Sequence, residues 1–229
     1  MKRLFVFATM MFVGLSVFGQ SADTISKWRM RLRGVAVIPQ ESANIGVIGG
    51  GVDISATIIP ELDFTYFFNR HFAAELILGT TRHKVSTTSS DLSAIGGSKS
   101  ADVDLGKVWL LPPTLTFQYH YPAGKFNPYV GAGINYTIFY SADAGPVVKD
   151  IEYKNKFAFA AQAGLDIDIS KKIFINIDVK KIFLSTTATV DASNLTPAAN
   201  PELSPVLQNI EADVKIKPWL AGVGIGYKF

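Results

Sequence analysis

The sequence predicts an all-β protein, an eight-stranded antiparallel transmembrane β-barrel with short periplasmic turns and long extracellular loops. Three observations support this fold class. Apolar residues recur at every second position in eight segments, which is the spacing of a strand with one apolar face. Short polar turns alternate with long polar stretches along the chain. After the N-terminal segment, no stretch holds the roughly 18 consecutive apolar residues that indicate a membrane-spanning helix.

The N-terminal segment is predicted to be a secretory signal peptide covering residues 1–19. The basic start Lys2-Arg3 precedes a mostly apolar run that is too short to span a membrane, and Val17-Phe18-Gly19 suits a cleavage site. The barrel is then expected over residues 20–229. We therefore expect export of the mature chain to the outer membrane of a bacterium.

The composition excludes several classes of protein. Without Lys2 and Arg3, the 22 basic residues fall to 20 against 19 acidic residues, so the mature net charge is about +1 and nucleic acid is not an expected partner. Cysteine is absent, which excludes disulfides and thiolate metal sites. A mean hydropathy of +0.23 is high for a secreted soluble protein, so the apolar surplus must lie in some other pattern.

That pattern has a period of two residues. From Trp219 to Phe229 the odd positions are apolar or aromatic and the even positions are mainly glycine, and successive side chains of a strand leave opposite faces. We expect these glycines to relieve crowding inside a narrow barrel. The same period predicts eight strands, over residues 28–37, 57–68, 72–81, 111–121, 129–138, 157–168, 173–183 and 219–229.

The connections between these segments alternate in length. Tight polar turns are predicted at residues 69–71, 122–125 and 170–172, and long loops at 38–56, 82–108, 141–154 and 184–212. An even strand number places the short turns on the side of the termini and the long loops on the opposite side. Residues 200–210 carry a weaker signal for a helical turn in the last loop.

The faces opposite to the apolar ones carry charged and polar side chains, which we expect inside the barrel. In hydrocarbon an unpaired backbone group costs several kcal/mol, so the sheet must close. A soluble barrel, apolar inside and polar outside, is the alternative. Aromatic residues near both strand ends favour contact with a lipid bilayer and its outer, lipopolysaccharide leaflet. The residues expected in the lumen are Arg29, Arg31, Arg33, Glu61, Asp63, Glu75, Gln118, His120, Asn176, Asp178 and Lys180.

Four segments resemble the family of outer-membrane protein W and its alkane-importing relatives. They are Leu-Pro-Pro-Thr-Leu-Thr-Phe-Gln-Tyr at 111–119, Phe-Asn-Pro-Tyr-Val-Gly-Ala-Gly-Ile-Asn-Tyr-Thr at 126–137, Ala-Ala-Gln-Ala-Gly-Leu-Asp at 160–166 and the end of the chain at 217–229, which begins with Lys-Pro-Trp. The resemblance implies a narrow, partly hydrophobic interior that passes small hydrophobic molecules sideways into the membrane. It also implies that the barrel-assembly machinery recognises Phe229, with Tyr227 two positions before it. The loops depart from the family pattern, so no particular solute is implied.

Three arginines on the first predicted strand are expected to plug the terminal side of the lumen. Arg29, Arg31 and Arg33 share one face, and inward residues of nearby strands lie within side-chain reach. Their expected partners on the next two strands are Glu61, Asp63 and Glu75. Breaking such a buried network is expected to cost roughly 3–5 kcal/mol.

Two prolines in the fourth predicted strand are expected to open a lateral gap. Pro112 and Pro113 have no backbone N–H, so the strand cannot complete its hydrogen-bond ladder, and Pro60 weakens the second strand similarly. We expect an apolar solute to enter between the long loops, meet the charged plug and leave near these prolines into the bilayer.

Passive passage of small hydrophobic molecules is therefore the leading function, with no catalytic residue, cofactor or metal expected. Apolar residues in the upper lumen would favour it, and Ile77, Leu110 and Leu220 lie on or near the required parity. The alternative is a structural or surface-interaction barrel whose loops bind a phage, a toxin or a host surface.

An enzymatic barrel is a third interpretation. Ser141, Ser185 and His83 lie near the expected outer rim, with His83 in a loop, but they match no nucleophile motif. The spacing of His71, His83 and His120 matches no metal-ligand pattern.

Overall fold

The computed structural model describes residues 26–45, 48–198 and 200–229, so the predicted signal peptide lies outside the described residues. Most of the described chain is strand. The strands are β1 (Trp28–Ile38), β2 (Ser42–Ile45), β3 (Gly51–Ile54), β4 (Thr57–Phe67), β5 (Phe72–Gly79), β6 (Thr81–Thr88), β7 (Asp104–Leu111), β8 (Thr114–His120), β9 (Phe126–Ala144), β10 (Asp150–Tyr153), β11 (Lys156–Asp168), β12 (Ile173–Ile182), β13 (Ser185–Asp191), β14 (Ile210–Lys215) and β15 (Trp219–Lys228).

Within these described ranges, eight strands close into an antiparallel barrel. Their order around the wall is β1, β4, β5, β8, β9, β11, β12 and β15, and β15 pairs with β1. At the closure, Arg29 lies opposite Lys228 and Ile38 lies opposite Trp219, with continuous pairing between them. Each wall strand has a ladder partner on both sides, which is the arrangement that hydrocarbon requires. The predicted fold class is confirmed.

The orientation of the side chains is that of a membrane barrel. Arg31 and Arg33 on β1 are 0% and 1% exposed, whereas Leu32 between them is 60% exposed. Ile58 and Phe159, on two other wall strands, are 78% and 74% exposed. Charged residues therefore point into the lumen and apolar residues point outward, as predicted. An apolar outer surface of this kind is typical of a barrel that lies in lipid.

Local hydrogen bonds stabilise the short turns. The Asn69 side chain accepts the backbone N–H groups of His71 at 2.8 Å and Phe72 at 2.9 Å. Gly124 has a φ of 65°, in the left-handed region that favours glycine. The Ser170 hydroxyl accepts two further backbone N–H groups. These turns lie where the sequence predicts them.

The four stretches predicted as long loops contain strands as well as loops, so the prediction that they are loops throughout was wrong. β2, β3, β6, β7, β10, β13 and β14 lie wholly or partly in these stretches and extend the wall beyond the lipid-facing band. On β6, Val85 and Thr87 are buried, whereas Arg82 and Lys84 are exposed. The outer face of these strands is polar because it meets water, so their alternation lacks the apolar outer surface that marks a lipid-facing strand.

Short helical segments lie at the extracellular end of the wall. A 3₁₀-helix at Pro201–Leu203 continues into an α-helix at Ser204–Gln208, where the sequence carries its weaker helical signal. Another 3₁₀-helix covers Ser93–Ile95. Among the residues that the structure describes, no helix is long and apolar enough to cross a membrane.

The extracellular part of the wall divides into two sheets. One continues from β9 through β7 and β6 to β3, and the other has the order β10, β13, β14, β2. In the described chain no ladder joins β9 to β10, and we call this junction the β9–β10 seam. Phe139 and Tyr153 stack across it with ring centroids 5.2 Å apart and planes 16° from parallel. An aromatic contact thus takes the place of backbone bonds at the seam.

Gly226 allows the lumen to close tightly at its terminal side. A Cβ atom at Gly226 would overlap the ring of Phe174, which is completely buried. We predict that Gly226→Ala destabilises the barrel by about 1–3 kcal/mol, because Phe174 must shift within a packed interior. Urea unfolding of protein in lipid vesicles, followed by tryptophan fluorescence, measures this difference.

The matched control is Gly34→Ala on the lipid-facing side, where an added Cβ has nothing within 4 Å. Its unfolding midpoint should equal or exceed that of the unmodified protein. Equal midpoints for the two variants would show that Phe174 does not restrict position 226.

Candidate functional site

Strand β1 delivers three arginines to the lumen. Arg29, Arg31 and Arg33 alternate with outward residues, and all three are buried. Antiparallel pairing with β4 sets Arg31 opposite Asp63 and Arg33 opposite Glu61. Because opposite residues on one sheet face lie within contact distance, the strand register itself brings two cations to two carboxylates.

Arg31 is the centre of the charged network. Its Nη1 donates to Asp63 Oδ1 at 3.0 Å and to Glu75 Oε1 at 2.7 Å, and its Nη2 donates to Asp166 Oδ2 at 3.1 Å. These carboxylates belong to β4, β5 and β11, and β11 is not a neighbour of β1 in the wall. The network therefore crosses the lumen.

Arg33 and Lys180 extend the network towards the extracellular side. Arg33 Nη2 lies 2.9 Å from both Glu61 Oε1 and Asp63 Oδ2. Lys180 Nζ donates to Glu61 Oε1 at 2.7 Å and lies 3.4 Å from Asp178 Oδ1. Both cations are almost completely buried, so each is compensated by carboxylates rather than by bulk water.

Arg29 departs from its predicted pairing. We expected partners among Glu61, Asp63 and Glu75, but its ion pair is with Asp166, at 3.0 Å. The prediction was limited to the strands that come next in the chain, whereas barrel closure also brings β11 within the reach of an arginine side chain. The inward parity of Asp166 was the signal that could have found this partner.

Neutral polar side chains fill the space between the charged ones. Glu75 Oε2 accepts hydrogen bonds from Gln118 Nε2 at 2.6 Å and from Gln162 Nε2 at 2.8 Å. The Tyr129 hydroxyl donates to Asp178 Oδ2 at 2.8 Å. Gln118 was predicted to face the lumen. Gln162 and Tyr129 are also buried there, so polar side chains pack between the charged ones on several sides of the lumen.

Aromatic rings pack the terminal side of the lumen. The Arg29 guanidinium lies 4.0 Å from the ring centroid of Phe67 and 5.6 Å from that of Phe174, both buried. His120 points inward, as predicted, and stacks on Tyr129 with centroids 4.9 Å apart. A cation over a ring face is stabilised by the ring quadrupole, so this layer is compatible with the charges above it.

An apolar cavity of about 190 Å³ lies on the extracellular side of the network. Glu61 and Lys180, which are paired with each other, line its lower end. Residues of the helical segments, including Ile95 and Leu207, line its upper end. The wall between them includes Val37, Ile59, Ile77, Leu110, Ile182 and Leu220, three of which were predicted to face the upper lumen.

The ladder beside Pro112 and Pro113 is interrupted on one side. Pairing with the β5–β6 stretch stops and resumes on either side of the two prolines, between the pairs Ile77 with Thr114 and Thr81 with Leu110. On the other side, Asn135 Nδ2 donates to the Pro112 carbonyl at 3.0 Å and Tyr136 N donates to the Pro113 carbonyl at 3.0 Å. The two prolines thus lie in the junction between β7 and β8, where the ladder with the β5–β6 stretch is interrupted while hydrogen bonds with β9 continue.

The residues of the predicted assembly signal end the last strand. Tyr227 pairs with Met30, and the backbone N–H of Phe229 donates to the Trp28 carbonyl at 3.0 Å. The Phe229 side chain is 62% exposed and packs edge-on against Tyr227. The ring lies at the surface, and its recognition by the barrel-assembly machinery stays a prediction.

His83 lies on strand β6 and not in a loop, so its predicted location was wrong. Its Nε2 lies 2.9 Å from Thr81 Oγ1 and its Nδ1 lies 2.6 Å from the Ser55 carbonyl. His71 Nδ1 contacts the His120 carbonyl at 3.0 Å. The described residues contain no group of three or more His, Cys, Asp or Glu that could hold a metal ion.

A closed wall with an apolar outer band and a charged lumen defines an outer-membrane β-barrel. The sequence profile of the OmpW family matches residues 27–229, and the chain belongs to this family. The outer-membrane protein y4mB of Sinorhizobium fredii is 41% identical over 210 residues, which cover 91% of this chain and 82% of that protein. The chain is accordingly a protein of the bacterial outer membrane.

Two further comparisons agree with this assignment. The dibenzothiophene metabolism operon protein PahQ of Pseudomonas aeruginosa is 32% identical over 211 residues, 89% of each chain. The crystal structure of the outer membrane protein OprG from Pseudomonas aeruginosa matches with a TM-score of 0.74 and 24% identity, covering 88% of this chain and 95% of that one. The similarity to OprG shows the fold alone.

We predict that Glu75→Gln destabilises the barrel by roughly 3–5 kcal/mol, because Arg31 and Arg33 each lose a buried negative partner. Urea unfolding in lipid vesicles measures the change. The matched control is Asp143→Asn, which removes the exposed partner of Arg82 at 3.6 Å and should cost under about 1 kcal/mol. Similar losses for the two variants would contradict the central position of Glu75.

Proposed function

We propose that the chain is a passive conduit for small hydrophobic molecules, which enter from the extracellular side and leave laterally into the bilayer. The observation that carries this proposal is an apolar cavity whose lower end is a buried charged network. The upper cavity suits an apolar molecule, whereas the network below it does not.

The cavity has the size and lining of a small-molecule site. An engineered apolar cavity of about 150 Å³ in another protein stays dry and binds benzene. The present cavity of about 190 Å³ is somewhat larger. The name of one relative refers to the metabolism of dibenzothiophene, an apolar aromatic compound. A solute of this chemical class is therefore a reasonable cargo for the present chain.

Straight passage through the lumen is energetically unfavourable for such a solute. It would have to displace the pairs that Arg31 and Arg33 form, and each buried charge left unpaired costs several kcal/mol. Phe67 and Phe174 fill the space below. The outer surface of the wall is apolar and meets lipid, so a sideways path has no comparable penalty.

The interruption of the hydrogen-bond ladder at Pro112 and Pro113 is the proposed exit. Pro112 lines the cavity from inside, whereas the neighbouring Leu111 is 37% exposed on the outer surface. The wall is thus a single residue layer thick where its ladder is incomplete. Entry is proposed between the extracellular segments, and we assign no catalytic residue because passage needs no chemical step.

Uptake into vesicles tests this function. We predict that proteoliposomes take up a labelled hydrocarbon such as toluene faster than protein-free vesicles do. Ala212→Phe should slow uptake because the new ring fills the cavity that Ala212 lines, whereas Ala221→Phe on the lipid-facing surface should not. Planar-bilayer recordings of the same protein should show no wide, steady ion conductance, because the charged network closes the aqueous path.

Two results would overturn the proposal. Uptake equal to that of protein-free vesicles would favour the alternative, a structural or surface-interaction barrel whose lumen carries nothing. A wide and steady pore in planar bilayers would show that the network does not plug the lumen.

The exit is tested separately by restoring backbone donors. We predict that the double variant Pro112→Val, Pro113→Thr lowers hydrocarbon uptake severalfold, because the junction between β7 and β8 can then complete its ladder with the β5–β6 stretch. Pro128→Val is the matched control, since Pro128 lies on the lipid-facing surface of β9 away from the cavity. Unchanged uptake in the double variant would place the exit elsewhere in the wall.

A further inference from the structure

Tyr153 is an unusual residue in the wall of the apolar cavity. It ends strand β10, lines the cavity and stacks on Phe139 across the β9–β10 seam. The stack holds its ring between two sheets that no ladder joins there. The phenol is therefore fixed at the cavity wall by packing and not by its hydroxyl.

The Tyr153 hydroxyl has no hydrogen-bond partner among the residues that the structure describes. Other polar groups of the cavity wall already have hydrogen-bond partners within the protein. Thr81 Oγ1 contacts His83, Thr137 Oγ1 donates to Asn135 at 2.7 Å, and Thr186 Oγ1 donates to the Lys154 carbonyl at 2.6 Å. Tyr153 is half-buried, and a hydroxyl without a protein partner beside an apolar cavity can gain a hydrogen bond from a ligand acceptor.

The surroundings also keep this hydroxyl a proton donor. Burial raises the pKa of the Tyr153 phenol well above its ordinary value, because the charged form is poorly solvated there. The group thus stays protonated at any physiological pH. A largely apolar site with such a donor in its wall selects the class of its ligand.

We propose that the cavity preferentially binds small apolar molecules that carry one hydrogen-bond acceptor, such as an aryl ketone, and that the Tyr153 hydroxyl donates to this acceptor. The proposal rests on the proposed function, since it names the solute class of the same cavity. It makes Tyr153 a specificity-determining residue, with the rest of the wall contributing apolar contact.

The test compares acetophenone with ethylbenzene, which have nearly the same shape and differ by a carbonyl oxygen. Equilibrium dialysis of each radiolabelled compound against the full chain in lipid nanodiscs, with empty nanodiscs subtracted, gives the two affinities. We predict that Tyr153→Phe weakens acetophenone binding by about threefold to tenfold, the value of one neutral hydrogen bond, and leaves ethylbenzene binding unchanged.

Tyr140→Phe is the matched control. The Tyr140 hydroxyl contacts Thr80 Oγ1 at 2.8 Å and its ring is 53% exposed, so the variant removes a phenolic oxygen away from the cavity. It should change neither affinity.

The outcomes separate this inference from the function on which it rests. Ethylbenzene binding with acetophenone affinity unaffected by Tyr153→Phe would overturn the inference alone. An equal loss for both ligands would also overturn it, because Tyr153 would then act only through packing. Absence of binding for both ligands to the unmodified protein would overturn the proposed function as well.

Discussion

The structure depends on the need to pair every backbone N–H and C=O within hydrocarbon. That requirement closes the sheet, with β15 returning to β1, and closure assigns one face of each strand to lipid and the other to a narrow lumen. Arg31 and Glu75 can be completely buried only because the same closure surrounds them with partners. The charged network is thus a consequence of the closed wall, and its buried side chains occupy the lumen.

The two ends of the lumen differ because the outer environment changes along the wall. Within the lipid band, inward residues such as Glu75 are polar and outward residues such as Leu76 are apolar. Further along the chain, on β6, Val85 points inward and Lys84 points outward. This inversion occurs where the outer surface passes from lipid to water, and it creates the apolar cavity directly above the charged network. The soluble-barrel pattern that was the alternative for the whole chain is realised in its extracellular part.

The sequence was sufficient to locate the strands whose outer face meets lipid. It was insufficient to locate the strands whose outer face meets water. The period of two located β1, β12 and β15 within a residue or two, since their outer faces are apolar. β6 and β13 fall in predicted loops, because serine and threonine on a water-facing surface resemble loop composition. Parity placed Arg29 in the lumen but could not select Asp166 as its partner, since only the closed barrel fixes which inward groups meet across it. The stack of Tyr153 on Phe139 is a tertiary contact of the same kind.

The ion pair between Arg29 and Asp166 joins positions 137 residues apart in the chain. A hairpin that had inserted alone would hold Arg29 in hydrocarbon without this counterion, so an incompletely assembled barrel is unstable in the membrane. Closure of β15 on β1 is consequently what gives Arg29 its counterion, so the free energy of this ion pair is gained only in the complete barrel.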